Sequence, residues 1–324
     1  NNGKCLREGD QRAPDYGNLQ TYSSFEEFWE AYTQTVSYFI EVGAKAQNQI
    51  YRITGEECPF SLVSLLYDNC LERGRSMFDG GVEFLGGTNE TYGNNNTADS
   101  LTAVNELIYK KQKYSGGDLL DALKNNWEGK SSMQEEFKSS PKFGNDNDTA
   151  DDMVLRVHEH VCKITSDAAA NTGLHHFLVV IINNEHHILW GKHSSASPDG
   201  RKHGDPMAPG NAAGAGCDRS GLTALLNSQA KPDPAIHAGS VQNVKLSSSL
   251  PVENRLLYHA LFRAYFKQGG TQAMITIANR NDLLAAIKEP EKYANLLVRV
   301  GGFSARFVDL DKATQLEILN RTEY

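Results

Sequence analysis

Two consecutive glycines, Gly301 and Gly302, interrupt an apolar strand pattern near the end of this chain. The residues before them read LLVRV and those after them read FSARFV. Glycine inside a strand costs conformational entropy and leaves no side chain to pack. The pair therefore indicates a bulge, a tight bend or a close approach of the backbone to another group. The spacing alone leaves both a kinked buried strand and a functional site open.

Composition narrows the classes of protein that the chain can belong to. A length of 324 residues at 40% hydrophobic content suffices for one large domain or two ordinary ones. The formal charge of -8 provides no basic field for a phosphate backbone, so we expect no nucleic acid partner. The best apolar run, residues 177–182, has the length of a strand, so we expect no membrane partner either.

The first residues and the cysteines indicate how the chain begins and in which cellular compartment the protein is expected. The start, NNGKCLR, has no initiator Met, no charged n-region and no apolar h-region, so we expect it to be a cut inside a longer protein and not a signal peptide. The five cysteines are an odd number, widely spaced and without a CxxC motif. This usage is typical of a reduced, intracellular compartment, and we expect a cytoplasmic location.

Hydrophobic periodicity predicts helices mixed with short strands, an α/β pattern. Ser24 and Glu27 form a capping-box pattern at the start of the first helix. The predicted helices cover residues 23–53, 61–73, 149–169, 221–228, 252–267 and 281–289. The predicted strands cover residues 175–182, 185–190, 272–277, 296–300 and 303–308, the first two as a hairpin around Asn183-Asn184 in the simplest interpretation. Irregular loops are predicted over residues 80–96, 130–152 and 194–221.

The segment VRVGGFSARF, followed by residues 315–323 (QLEILNRTE), resembles the glycyl radical signature of the glycyl radical enzymes. Other segments support the likeness. SPDGRKHGDP at 197–206 looks like the family's SPDGR segment, and residues 218–228 look like the stretch that follows it. Residues 58–60, 68–74 and 80–81 are similar to the family's helix and Gly-Gly loop. The resemblance thus covers essentially the whole chain.

The resemblance implies a fold and a division of the chain. The fold would be the second half of a ten-stranded α/β barrel, with the glycyl radical loop inserted along the barrel axis. Residues 1–194 would be the C-terminal part of the pyruvate formate-lyase-like barrel domain, and residues 195–324 the glycyl radical domain. Burial inside such a barrel would protect a radical from water and oxygen.

The resemblance assigns the radical to Gly302 and a packing role to Gly301, with the reverse assignment as the alternative. A radical on the glycine Cα is stabilised by the amide nitrogen and the carbonyl on either side of it, provided that the backbone can flatten. A side chain would hinder that planarity and block the group that removes the hydrogen. No cofactor is expected to be bound. The radical would be a post-translational modification made by a separate activating enzyme that uses S-adenosylmethionine and an iron–sulfur cluster.

Members of the family also need a cysteine whose thiyl radical takes hydrogen from the substrate, and here the sequence departs from the pattern. None of its cysteines lies in the family's Gly-Cys loop. Cys5 lacks that context, and Cys217, in a glycine-rich loop, is the other candidate. We therefore expect the thiol and its acid–base residue to lie outside this chain, on an N-terminal part or a separate subunit.

The function implied is that of an anaerobic lyase, decarboxylase or C–C bond-forming enzyme acting on a small-molecule substrate, and the resemblance implies a homo-oligomer when the enzyme is complete. Residues 86–94, 237–243 and 270–276 look more like the hydrocarbon-succinate synthases and arylacetate decarboxylases, which favours an aryl or hydrocarbon substrate. The alternatives are a dehydratase of a small polar substrate, a non-catalytic spare-part subunit that supplies a fresh radical, and a binding protein with an inactive motif. No substrate-binding residues are nominated.

Metal and nucleotide sites are not supported by the residue patterns. His158, His160 and Cys162, and the pairs at 175–176 and 186–187, offer metal ligands, but neighbours at these spacings point in different directions. The acidic run at 144–152 lacks the Gly and Glu positions of a calcium loop. The glycines at 86–87 and 214–216 lack the strand–helix context of a phosphate-binding fingerprint.

Overall fold

The computed structural model describes residues 2–5, 8–182, 184–248 and 255–324. The α-helices are α1 Phe25–Glu57, α2 Ser61–Ser64, α3 Cys70–Arg73, α4 Asn94–Val104, α5 Gly116–Lys124, α6 Ser131–Ser139, α7 Asp148–Ala170, α8 His186–His193, α9 Leu222–Ala230, α10 Arg255–Lys267, α11 Arg280–Lys288 and α12 Lys312–Asn320. The strands are β1 Gly87–Glu90, β2 Phe177–Ile181, β3 Gly239–Ser240, β4 Asn243–Leu246, β5 Met274–Ile277, β6 Leu297–Arg299 and β7 Ser304–Arg306.

Helices α1 and α7 form the largest core with α4 and β2. Their apolar residues recur at helical spacing, and those that face each other are buried with the inward side chains of β2. Ser24 caps α1 by accepting a hydrogen bond from the Glu27 backbone N–H at 3.2 Å. The Glu27 carboxylate, however, accepts from the backbone N–H and hydroxyl of Ser23 at 2.7 and 2.8 Å, so the reciprocal half of the predicted capping box is shifted by one residue.

Within the described residues the strands form three small sheets. Strands β1, β2 and β3 pair in parallel in that order, β4 and β5 pair in parallel, and β6 and β7 form an antiparallel pair. The alternating burial of β2 and β5 places every second side chain in a core. Parallel pairing of strands that are far apart in sequence is the arrangement of an α/β protein.

The β6–β7 pair, α11 and α12 share a compact core of their own. It contains Val298, Val300, Phe307, Leu283 and Ile318, all of them buried. This core fixes the two strands on either side of Gly301-Gly302, and the glycines themselves form the connection between them.

The predicted hairpin at 175–190 is wrong in its second half. Residues 186–190 belong to helix α8, with Glu185 as its N-cap, because the buried positions His187, Ile188 and Gly191 follow helical rather than alternating spacing. Strand β2 pairs instead with β1 and β3, which are distant in sequence. The predicted turn includes Asn183, which lies outside the described residues.

Three further predictions need correction. The helix expected over 61–73 is split into α2 and α3, and Leu62 and Leu66 are exposed rather than buried, whereas Cys70 is buried as expected. The stretch 130–152 is not a surface linker, because it contains α6 and the buried side chains of Phe137 and Phe143. The loop at 80–96 contains the short strand β1.

The other predicted elements agree with the structure to within a few residues. Helices α1, α7, α9 and α11 and strands β2, β5, β6 and β7 lie where the periodicity placed them, and 194–221 is irregular as expected. Helix α10 is described from residue 255, so its predicted start at 252 lies outside the described part. None of the helices in the described ranges is both long and apolar enough to cross a membrane.

Candidate functional site

Gly301 and Gly302 form the two-residue turn of the β6–β7 hairpin. The backbone N–H of Val300 donates to the carbonyl of Phe303 at 3.0 Å, which closes the turn. Gly302 has a φ of +96°, in the region that favours glycine. The anomaly in the sequence is therefore a tight bend, one of the three outcomes that the pattern predicted.

The two glycines are not equivalent. A Cβ built on Gly302 would lie 2.9 Å from Oδ1 of Asn184 and 3.3 Å from Cγ2 of Ile182, in addition to the unfavourable φ. A Cβ on Gly301 would come no closer than 3.5 Å to the backbone of Asn184, which is ordinary contact. The structure therefore demands glycine at 302 and leaves room for a methyl group at 301.

Gly302 lies against the segment that follows the carboxyl end of β2. Asn184 and Glu185, in this segment, both have left-handed backbone conformations, at φ 40° and 71°. Consecutive non-glycine residues in this region store strain, and strain of this kind concentrates at functional sites. The carboxyl ends of parallel strands are also where α/β proteins place their ligands.

Gly302 is exposed within this chain. The protection from water and oxygen that we expect inside a closed barrel is therefore not supplied by the described residues. Beside the turn lies an open depression of about 270 Å³, lined in part by Asn184, His186, Lys192 and Asp311.

Arg321 holds the strand that leads into the turn. Its guanidinium donates to the carbonyls of Arg299 and Val300 at 2.8 and 2.7 Å. It also forms a two-pronged pair with the carboxylate of Glu317, with Nε at 3.0 Å and Nη2 at 2.8 Å. The Arg321 and Glu317 side chains are only 9% and 3% exposed. This geometry uses the planar fork of arginine, which lysine does not have.

The electrostatics of Glu317 match this role. Burial by itself would raise the pKa of Glu317, but the charge of Arg321 and the hydrogen bonds that Arg321 donates to the carboxylate outweigh it and lower the pKa to about 2. Nε2 of the fully buried His187 lies 3.7 Å from the Glu317 carboxylate, beyond hydrogen-bond distance. Glu317 is therefore ionised at neutral pH and keeps Arg321 oriented toward the strand.

Strand β5 contacts the same hairpin from another side. The hydroxyl of Thr276 accepts a hydrogen bond from the backbone N–H of Arg299 at 2.9 Å. The thioether sulfur of Met274 accepts from the backbone N–H of Gly302 at 3.2 Å. Both side chains point to the buried face of β5. The hairpin is thus hydrogen-bonded by side chains from β5 and from the end of α12.

The two candidate cysteines lie in different surroundings. Cys5 is half-buried at the start of the chain, with Glu8 and Asp10 close enough for the three to share a metal ion. Cys217 is half-buried in the loop before Asp218, and burial raises the pKa of its thiol to about 12. For neither does the structure show a contact with Gly302.

The histidines considered as metal ligands contact different partners in different parts of the structure. His158 is buried, with its ring against that of His237 and 3.8 Å from the sulfur of Cys162, and burial lowers its pKa to about 4. His160 packs its ring on that of Trp29. The rings of residues 175 and 176 approach each other through Nδ1 at 3.0 Å, whereas residue 186 is exposed and residue 187 is buried. Among the described residues, the group of three potential ligands within reach of one ion is the one around Cys5.

Glu317, Arg321, Met274 and Thr276 were not nominated from the sequence. A signal existed for the first two, because a Glu and an Arg four residues apart at the end of a helix can pair. The two β5 residues carried no such signal, because inward-facing residues of a mainly apolar strand are expected to fill a core.

Two family models match the chain. The model described as pyruvate formate lyase-like matches residues 1–188, and the model described as glycine radical matches residues 207–308. The second range contains the β6–β7 hairpin with both glycines.

The curated relatives that the chain matches are about two and a half times as long as this chain. The chain is 32% identical to the (2S)-3-sulfopropanediol dehydratase of Klebsiella oxytoca over 100% of this chain and 40% of that protein. It is 30% identical to the trans-4-hydroxy-L-proline dehydratase of Clostridioides difficile over 100% of this chain and 41% of that protein. The chain thus spans about two fifths of the length of the curated relatives that it matches.

Solved structures give the same result for the fold. The glycerol-bound B12-independent glycerol dehydratase from Clostridium butyricum matches with a TM-score of 0.92 and 33% identity, covering 100% of this chain and 41% of that chain. This similarity confirms the predicted fold, the second half of a glycyl radical enzyme barrel. With the first family model covering more than half of the residues, the chain belongs to the pyruvate formate lyase-like family of glycyl radical enzymes.

Proposed function

We propose that this chain stores a radical on the Cα of Gly302 for an enzyme that acts on a small, polar, hydroxylated substrate as a dehydratase. The observation that carries the radical assignment is the asymmetry of the turn. Gly302 has a positive φ, and a Cβ there would have to displace the Asn184 side chain, whereas Gly301 has room for a Cβ. The dehydratase assignment rests on the two relatives named above and on the glycerol-bound structure, all three of which are dehydratases by name.

The substrate class differs from the one favoured by the sequence alone. Segments 86–94, 237–243 and 270–276 suggested an aryl or hydrocarbon substrate, but the comparisons favour the alternative, a dehydratase. In the structure these segments form or flank β1, β3, β4 and β5, so their composition reflects the strands of the scaffold as well as any substrate.

The proposed chemistry begins with one hydrogen atom leaving the Cα of Gly302. A separate activating enzyme that uses S-adenosylmethionine and an iron–sulfur cluster would accept that atom. The stored radical would then take a hydrogen atom from a cysteine thiol outside this chain, and the thiyl radical would take one from the substrate. The hydrogen atom returns along the same route after turnover, so the radical is regenerated.

This chain's own residues hold the site for those steps. Arg321 and Glu317 fix the strand before the turn, Thr276 fixes Arg299, and the exposed face of Gly302 leaves its Cα open to a partner. We retain the division into a barrel part, residues 1–194, and a radical domain, residues 195–324, as part of the proposal.

Anaerobic electron paramagnetic resonance tests the radical assignment. The chain is incubated with a glycyl radical activating enzyme and S-adenosylmethionine, alone and with a polypeptide that carries the cysteine loop. We expect a doublet from the remaining α-hydrogen, and on exposure to air we expect cleavage of the chain at Gly302, read by mass spectrometry. The matched variants are Gly302→Ala, which should give neither signal, and Gly301→Ala, which should keep both.

The outcomes separate the alternatives. Cleavage at Gly301 would reverse the assignment of the two glycines. No doublet and no cleavage, under conditions that activate a known glycyl radical enzyme, would reduce the motif to a structural turn. With the radical formed and the cysteine polypeptide present, water loss from a vicinal diol or hydroxyproline supports the dehydratase, and turnover of an arylacetate instead would refute it.

A further inference from the structure

Met274 provides the acceptor for the backbone N–H of Gly302. Its sulfur lies 3.2 Å from that nitrogen, and its side chain is 5% exposed. Gly302 itself is exposed, so its N–H would face solvent on a hairpin tip if the thioether were absent. A buried, uncharged side chain therefore supplies the hydrogen bond at the one residue of the turn that must be glycine.

The position of Met274 is set by the sheet and not by the hairpin. It is the first residue of β5, paired in register with Asn243 of β4. Two residues along the same face, Thr276 accepts the N–H of Arg299. The strand thus presents two acceptors, spaced by its own repeat, to two N–H groups of the hairpin.

We infer that Met274 is a positioning residue for the Gly302 radical, which it stabilises by accepting the N–H of that glycine. This inference rests on the proposed function. A radical on a glycine Cα draws electron density from the adjacent amide nitrogen, and an acceptor on the N–H makes that nitrogen more electron-rich. Sulfur suits this task because the thioether is a soft, polarisable acceptor.

The flexibility of methionine adds to the argument. Gly302 starts at a φ of +96°, and delocalisation of the radical requires its backbone to flatten. The N–H therefore changes direction when the radical forms. A side chain with three rotatable bonds can follow that movement, whereas a stiff β-branched residue cannot.

Two substitutions distinguish this role from simple core filling. Met274→Leu keeps the apolar volume and removes the acceptor, so a residue that only fills the core would tolerate it. Met274→Gln keeps the length and restores an acceptor through its amide oxygen. Thr276→Val is the matched control, because it removes the neighbouring acceptor while leaving the contact to Gly302 intact.

The first readout needs no radical. Amide hydrogen exchange at Gly302, measured by NMR on the 324-residue chain with ¹⁵N-glycine labelling, should be about 2- to 10-fold faster in Met274→Leu than in wild type, the range expected for one neutral hydrogen bond. It should return toward the wild-type rate in Met274→Gln and remain unchanged in Thr276→Val. Equal exchange in wild type and Met274→Leu overturns the inference.

The second readout is the radical itself. In the activated chain under anaerobic conditions, we expect the doublet of Met274→Leu to decay about 2- to 10-fold faster than that of wild type, and Met274→Gln to recover part of the lifetime. Equal lifetimes and equal spectra in wild type and Met274→Leu overturn the inference. A third outcome is slower amide exchange in wild type than in Met274→Leu, but no doublet in the wild-type chain. It refutes the proposed function and the role of Met274 in radical stability, and it leaves the N–H to sulfur hydrogen bond established.

Discussion

The buried pair of Arg321 and Glu317 gives the sharpest test of how the hairpin is held. Arg321→Met removes the guanidinium while keeping much of the side-chain volume. It leaves the 3%-exposed Glu317 carboxylate without its partner and two strand carbonyls without their donors. Breaking a buried pair from one side costs about 3–5 kcal/mol. We therefore expect the free energy of unfolding, from urea titration at pH 7, to fall by about that amount.

Two further variants separate the terms. In the double variant Glu317→Leu with Arg321→Met neither charge of the pair is left buried without its partner, so the loss should shrink to about 1–3 kcal/mol, the cost of the carbonyls left unpaired. Arg321→Lys keeps the charge but not the fork, and should fall between wild type and Arg321→Met. A loss below about 1 kcal/mol for Arg321→Met, or a double variant as unstable as the single one, would refute the reasoning.

The pair also predicts a pH dependence. The folded pKa of Glu317, about 2, lies below its ordinary value of 4.5, so the ionised form is favoured by folding. The resulting stability, about 3 kcal/mol, is fully present above about pH 5 and is lost as the pH falls from about 4.5 toward 2. Urea titrations of wild type and Glu317→Gln between pH 7 and pH 3 measure it, because the variant lacks this component. Parallel curves for the two proteins would contradict the assignment.

Two other predictions concern single side chains. Gly302→Ala should lower the free energy of unfolding by about 1–2 kcal/mol because its φ is positive, whereas Gly301→Ala should change it by less than about 0.5 kcal/mol; equal losses in urea titration would show that the turn does not distinguish the two. Asp99 is fully buried, and burial raises its pKa to about 8, so stability is lost as the pH rises from about 4 through 8. Asp99→Asn keeps an oxygen for the Phe143 N–H, 2.8 Å away. The free energy of unfolding of this variant, relative to that of wild type, should therefore be higher at pH 8 than at pH 5. The same difference from wild type at both pH values would refute this.

The sequence allowed the tight bend at Gly301-Gly302 to be predicted because its signal was local, whereas its role as a radical site is implied only by the resemblance to the glycyl radical enzymes. A pair of glycines in an apolar strand requires a backbone explanation, and only a few explanations exist. Long helices such as α1 and α7 were equally predictable, since their apolar stripes repeat over many turns. These features need no knowledge of what lies nearby in space.

What could not be predicted depends on contacts between distant segments. Residues 185–190 contain apolar side chains on both faces of the strand that was predicted there. Only the pairing of β2 with β1 and β3 shows that β2 needs no hairpin partner from this segment. Phe137 and Phe143 looked isolated in a polar stretch, yet they are fully buried. Met274 reads as an ordinary core residue until the hairpin is placed beside it.

The alternation of β5 has a consequence for how the protein tolerates change. Residues 274 and 276 face the hairpin, whereas Ile275 and Ile277 face away from it. Inserting or deleting one residue before β5 would exchange the two sets and present isoleucine side chains, which accept no hydrogen bond, to the N–H groups of Arg299 and Gly302. The length of the loop from 268 to 273 therefore sets this register, and a change by a single residue would have to be absorbed before Met274.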